Sequence, residues 1–178
     1  WHVAGHDIGG NVSGIFGSLN GAPAIVAGGA ESVFEEYTKA LEALPGALVF
    51  TANDIGVYLP KVDHMVSLHS EKLIWWSGLR LCEFPAGGWK THSRNSEDGK
   101  INYCWLLDTQ MGISGYFAMQ IAYLMGAGQI VLAGCPGDNT RRFFDGDWIK
   151  TRDYKTFGVV DQLQREMRRL PDFKAKVR

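Results

Sequence analysis

The chain has 178 residues, of which 46% are hydrophobic and 21% are charged, and its formal net charge is −1. These values are typical of one folded domain. They exclude a disordered chain and argue against a general binder of nucleic acid. No apolar run reaches about 18 residues, so the sequence predicts no membrane span, and it has no signal-peptide pattern.

The first predicted elements are an arm, a strand and a helix. Residues 1–22 are rich in glycine and only weakly periodic, so we predict an N-terminal arm or loop there. The apolar run PAIVAGG is typical of a buried parallel strand that leads into a turn. From Glu31 onward apolar residues recur at helical spacing, and Pro45 and Gly46 predict the end of this helix.

The middle of the chain predicts two more strands, a helix and a lid. A second strand, ALVFTAND, ends at Asn53 and Asp54, and a third, within DHMVSLHSE, ends near His69. EKLIWWSGLR is typical of a short amphipathic helix, and RLCEFPAGG could add a strand. Residues 86–100 are polar, contain glycine and are long enough to predict a lid or a surface excursion.

The last third holds the clearest helix of the chain. NYCWLLD is again typical of a strand, and GISGYFAMQIAYLMGAG predicts a helix that begins near Ser114 and Gly115. The strand QIVLAG follows, and its exit CPGDN carries Asp138. Residues 158–178 predict a basic amphipathic helix and tail, with VVDQLQREMRRL as its helical part.

This alternation of strands and helices predicts an α/β fold. We expect a Rossmann-like, mostly parallel sheet with helices on both faces over residues 23–157. Such sheets bind ligands beyond the carboxyl ends of their strands. The turns expected there are rich in Gly, Ser, Asn and Asp, and they comprise residues 28–31, 51–56, 112–115 and 134–139. The sequence therefore predicts a small-ligand site at this edge.

The first two turns each have a functional and a structural interpretation. Gly28 and Gly29, with Ser32 at the start of a helix, would let an anion approach backbone amides. The same residues also suit a tight turn before a capped helix. Asn53 and Asp54 would face a ribose or a base, or they would form an Asx turn.

The candidate residues later in the chain also have more than one interpretation. Ser114 would cap its helix or donate to a phosphate or carboxylate. Asp138 would contact a sugar hydroxyl or help to hold a divalent ion, but a lone acid predicts no metal site. His69 is a candidate base or an ordinary hydrogen-bonded histidine, and His64 is predicted to be structural.

Cysteines and charge distribution add two expectations. Cys82, Cys104 and Cys135 are widely spaced, so we predict free thiols in a reducing compartment such as the cytoplasm. Residues 1–140 hold 7 Lys and Arg against 13 Asp and Glu, whereas residues 141–178 hold 11 against 6. The basic end would meet an anionic ligand, nucleic acid or a partner protein, or it would be a solvated helix face.

The string GISGYFAMQIAYLMGAGQIVLAGCPGD, with IVAGGAES and FTANDIG, resembles segments of two related families. These are the bacterial lipo-oligosaccharide sialyltransferases, which use a CMP-sugar, and the 6-hydroxymethylpterin diphosphokinase-like proteins. The resemblance covers about residues 23–57 and 103–139. Similar stand-alone domains occur in bacteria and tailed phages.

The resemblance implies a Rossmann-like fold and a bound nucleotide or nucleotide-sugar. The implied binding residues lie in the turns and are Gly28, Gly29, Ser32, Asn53, Ser114 and Gly115. Asp54 is a further binding candidate from its position beside Asn53 alone. The chain also departs from the pattern. Ala30 and Glu31 replace a proline, and no histidine follows His92 to act as the sialyltransferase base. His69 and Asp138 are then the candidate catalytic residues.

Two functions follow from these observations. The first is a glycosyltransferase-like or phosphotransferase-like domain that binds a nucleotide-activated donor of CMP type, with the need for magnesium left open. The alternative is a non-catalytic Rossmann-like binding or structural module, phage-encoded and virus-associated. Its N-terminal arm or C-terminal helix would contact a second copy or another protein.

Overall fold

A computed structural model describes residues 2–3, 6–10, 12, 14–79, 90–94, 101–107, 113–135 and 176. Strands and helices alternate through most of this part of the chain. In chain order the elements are β1 (His2–Val3), β2 (His6–Gly10), β3 (Pro23–Ala27), α1 (Val33–Ala43), β4 (Leu48–Ala52), α2 (Ile55–Tyr58), β5 (His64–Val66), α3 (Ser70–Leu79), β6 (Lys90–Ser93), β7 (Tyr103–Leu107), α4 (Ser114–Leu124) and β8 (Gln129–Ala133).

These strands form one sheet in the order β1-β2-β7-β6-β5-β4-β3-β8. The six strands from β7 to β8 are all parallel, whereas β2 pairs antiparallel with β7 and β1 pairs antiparallel with β2. After β7 the chain crosses to the far side of β3, so the strand order reverses there and β3 and β8 form a topological switch point. The predicted α/β, Rossmann-like architecture is confirmed.

Helices cover both faces of the sheet, as predicted. On one face α1, α2 and α3 pack on alternate strand residues such as Ile25, Val49 and Met65. On the other face α4 packs on the residues between them, including Val26 and Phe50. A sheet buried on both faces explains why the strands are apolar runs rather than alternating patterns.

The glycine-rich segment before β3 is part of the core, which differs from the arm expected over residues 1–22. Val12, Ile15 and Leu19 are buried against α4. The amides of Gly17, Leu19 and Gly21 donate to successive carbonyls at and just after the end of α4, at 3.2, 2.8 and 2.9 Å. The first two of these bonds satisfy carbonyls that a helix leaves unpaired at its C-terminus. Backbone hydrogen bonds hold most of this segment in place, which explains why its sequence shows only weak hydrophobic periodicity.

The lid expected over residues 86–100 is also corrected in part, because Lys90–Ser93 is strand β6 in the middle of the sheet. Its polar side chains are paired: the Thr91 hydroxyl lies 2.9 Å from Asn102 Oδ1, and His92 bonds to two side chains described below. A polar strand of this kind looks like a loop in the sequence. Residues 86–89 and 95–100, the strand suggested in RLCEFPAGG, Asp138 and all of residues 158–178 except Lys176 lie outside the described residues.

None of the helices in the described residues is long and apolar enough to cross a membrane. The short helix α2 was not predicted, and it fills the connection between β4 and β5 on the α1 face.

Candidate functional site

The exit of β4 is tied to the exit of β5 by Asn53. Its backbone φ is +62°, a left-handed conformation that asparagine adopts more easily than most residues. Its N–H donates to Val66 C=O at 2.8 Å, and its Oδ1 accepts a hydrogen bond from the Ser67 hydroxyl at 2.8 Å. The predicted polar turn after β4 is therefore held in a fixed shape.

Ser67 is the centre of this network. It is fully buried, and its N–H donates to His92 C=O at 3.0 Å, which extends the pairing of β5 with β6. Its hydroxyl accepts a bond from His69 N–H at 3.0 Å while donating to Asn53. A serine at the end of a strand has no distinctive sequence signal, so Ser67 is not predictable from the sequence.

Ser114 reaches the same turn from the opposite face of the sheet. It is the first residue of α4, it is buried, and its Oγ accepts a bond from Leu68 N–H at 3.4 Å. The helix-capping alternative does not apply, because Ile113 holds the N-cap position and no side chain caps α4. Asn53 and Ser114, predicted from separate segments, thus meet at residues 67–69.

His69 and Asp54 flank this network. The His69 carbonyl accepts the first helical bond of α3, from Leu73 N–H, and its half-exposed side chain lies 3.6 Å from the Glu71 carboxylate. Asp54 directly precedes α2, is half-buried, and makes no side-chain cap bond to that helix. Both candidates lie beside the turn, and their predicted roles stay predictions.

The exits of β3 and β8 form a second, tightly packed group. A Cβ on Gly28 would collide with Gly134 O and with Cys135 Sγ. Gly28 N–H donates to Ala133 C=O at 2.7 Å, and Gly134 N–H donates to the Glu36 carboxylate at 2.6 Å. The Gly134 amide that faces the switch point is therefore already bonded to a carboxylate of the chain itself.

Three other predicted residues belong near this second group. Gly29 follows Gly28 in the turn, and Ser32 holds the N-cap position of α1 without a side-chain cap bond. A Cβ on Gly115 would lie 3.0 Å from Cys135 Sγ, so its lack of a side chain serves the packing of α4 on the β8 exit.

Cys135 is a partly buried thiol of low reactivity. Burial, and to a smaller extent the negative charge of Glu36, raise its pKa to about 12, so the thiol stays protonated at neutral pH. Cys104 and Cys135 are both free, and Cys82 lies outside the described residues.

A row of buried rings lies beneath the network on the α4 face. Phe50 stacks on His64 with centroids 4.2 Å apart, His64 Nδ1 lies 2.9 Å from His92 Nε2, and Trp105 Nε1 lies 3.0 Å from His92 Nδ1. Indole N–H only donates, so His92 Nδ1 accepts. Neutral His92 then donates from Nε2 to His64 Nδ1, and neutral His64 carries its proton on Nε2.

The surroundings hold both histidines neutral. Burial, followed by the nearby charge of Lys90, lowers the pKa of His64 to about 3. Burial, His64 and Lys90 together lower the pKa of His92 well below its usual value. The structural role predicted for His64 agrees with this burial. The role of His92 in this row of rings was not predicted, because His92 lies in a polar segment that resembles a loop.

In the described part of the chain, no group of three or more His, Cys, Asp or Glu could hold a metal ion. Comparison of the chain with protein-family models, curated proteins and solved structures gives no significant match.

Proposed function

We propose that this domain binds a nucleotide or a nucleotide-activated sugar at the carboxyl edge of β4 and β5. One observation carries the proposal: Asn53, at the exit of β4, and Ser114, at the start of α4, are hydrogen-bonded to the same turn, residues 67–69. Ligands of parallel α/β sheets bind at this end of the strands. Helices α3 and α4 also both begin at this turn, and their N-termini favour an anion such as a phosphate.

The network also orients the Asn53 amide for recognition. Because the Ser67 hydroxyl accepts from His69 N–H, its proton points to Asn53 Oδ1. The Asn53 amide nitrogen makes no hydrogen bond to any residue that the structure describes. Its two N–H donors therefore suit an acceptor on the ligand, such as a base carbonyl or a ribose oxygen.

The reaction that fits this site is transfer of a sugar or phosphoryl group from the bound donor. Such a transfer needs a base for the acceptor hydroxyl. His69 is our candidate, because its half-exposed imidazole lies at the rim of the turn. Asp138 is the second candidate, on the family resemblance alone, and magnesium is a cofactor to be tested.

A second candidate function is a non-catalytic binding or structural module. The observation that favours it is the bond from Gly134 N–H to the Glu36 carboxylate. This bond lies among the turns that resemble the nucleotide turns of the sialyltransferases, so the Glu36 carboxylate occupies an amide that would otherwise be open to a ligand. A module of this kind would bind a partner or a nucleotide without turnover.

The test of the proposed function is ligand binding by an Asn53→Gly variant. Glycine adopts φ +62° without strain, so the variant keeps the turn and loses only the amide. We expect the unfolding free energy to fall by about 1–2 kcal/mol, because the buried Ser67 hydroxyl loses its acceptor while the strain of the positive φ is relieved. Thermal shift and calorimetry with CMP, CDP, UDP and ATP, with and without magnesium, measure binding.

Asn20→Gly is the matched control, since Asn20 also has a positive φ, +48°, and lies before β3 at the opposite end of the strands. Wild type and Asn20→Gly should be stabilised by about 2.7 kcal/mol at a nucleotide concentration of 100 Kd, whereas Asn53→Gly should not. Equal stabilisation of all three proteins, or of none, contradicts the proposal. Binding without release of the sugar or phosphoryl group would favour the non-catalytic module.

A further inference from the structure

The first residue of α3 has an unusual hydroxyl. Ser70 is fully buried, and among the described residues its Oγ is the one buried side-chain polar atom without a hydrogen-bond partner. A serine at a helix start usually bonds to a backbone group nearby. Burial of an unpartnered hydroxyl is unfavourable, so this atom requires an explanation.

Its neighbours do not supply a partner, because they are bonded to one another. The Ser67 hydroxyl donates to Asn53 and accepts from His69 N–H. Ser114 Oγ accepts a hydrogen bond from Leu68 N–H. Ser70 follows this turn directly. Its hydroxyl is therefore a donor without a role in the network that shapes the proposed nucleotide site.

The backbone at this position adds further donors. The first helical bond of α3 runs from Leu73 N–H to His69 C=O, so the amides of Ser70, Glu71 and Lys72 precede the helical ladder. Amides at the N-terminus of a ten-residue helix carry partial positive charge and favour an anion. Lys72 is exposed in the same turn of helix.

We infer that the N-terminus of α3 is the phosphoryl subsite, with the Ser70 hydroxyl donating to a phosphate oxygen. This inference rests on the proposed nucleotide site and assigns the place of its phosphate. The Glu71 carboxylate, half-exposed and 3.6 Å from His69 Nδ1, opposes the phosphate charge and limits affinity.

The test compares Ser70→Ala with Ser77→Ala, using inorganic pyrophosphate and CMP as probes in calorimetry. Ser77 lies on the same helix, but its hydroxyl donates to Ile74 C=O at 2.6 Å. We expect Ser70→Ala to keep or raise the melting temperature, since no bond is lost, and to bind both probes about tenfold more weakly. Ser77→Ala should bind them as wild type does.

Glu71→Gln provides an independent arm that does not change the buried hydroxyl. Removal of this carboxylate should tighten pyrophosphate binding several-fold, and the gain should shrink as salt is added. An unchanged affinity in Glu71→Gln would contradict a phosphate at this helix end.

The outcomes separate this inference from the proposed function. If Ser70→Ala binds both probes as wild type does, or if wild type does not bind pyrophosphate, the subsite is wrong and the hydroxyl bonds to a buried water. If pyrophosphate binds in a Ser70-dependent way and no nucleotide in the panel binds, the subsite stands and the proposed nucleotide function fails.

Discussion

The buried histidines of β5 and β6 make stability depend on pH. His64 and His92 are neutral in the folded chain because burial lowers their pKa, to about 3 for His64 and well below normal for His92. In the unfolded chain both have the ordinary value near 6.5. Below that pH the unfolded state binds more protons than the folded state, so stability falls as the pH is lowered.

We predict a loss of about 1.4 kcal/mol per pH unit for each histidine below about pH 6, continuing to about pH 3 for His64. In His64→Asn the amide oxygen takes the place of Nδ1 and keeps an acceptor for His92, so about half of this slope should disappear. Urea unfolding at pH 7, 6 and 5 measures the slope. The control is the His69→Asn variant, since the His69 side chain is half-exposed. Equal unfolding free energy at pH 7 and pH 5 would show that the pair is not held neutral.

The sequence predicted Asn53 and Ser114 as site residues because their types stand where strands and helices meet, and the structure brings both to residues 67–69. It could not foretell Ser67, whose role depends on three partners from different elements. It also could not foretell that Glu36 reaches Gly134, since 98 positions separate them in the chain.

At the scale of elements, α4 connects the proposed site to the packing of the sheet. Its N-terminus carries Ser114, and its C-terminus is bonded to the segment before β3. Gly126 allows this contact, because its φ is +91° and a Cβ there would lie 2.9 Å from Gly17 Cα. The helix itself was predictable from its apolar run, whereas the backbone pairing at its end has no sequence signal beyond the glycines.

Gly126→Ala should therefore destabilise the domain by about 2–4 kcal/mol, combining an unfavourable φ with a backbone collision. Gly46→Ala is the matched control: its φ is +87°, and nothing lies within 4 Å of the added Cβ. We expect that control to lose only about 1 kcal/mol in chemical denaturation. Similar losses in the two variants would mean that the close approach of Gly126 to Gly17 does not exist in solution.

At the scale of the whole molecule, strand exits come together at two places along the carboxyl edge of the parallel sheet. The switch point between β3 and β8 is packed by glycines and bonded to Glu36, whereas the exits of β4 and β5 display an oriented amide and an unpartnered buried hydroxyl. The sequence predicted the fold class and this edge of the sheet, because apolar runs alternate with helical periods and polar turns. It could not distinguish the two places, since both have turns of the same composition.

Backbone amide shifts in NMR spectra measure directly where a nucleotide binds on the sheet. On titration with CMP, or with whichever nucleotide of the panel binds, the largest shifts should fall on Asn53, Leu68, Ser70 and Ser114. Shifts centred instead on residues 28–36 and on Gly134, or the absence of any shift at saturating nucleotide, would contradict the proposed site.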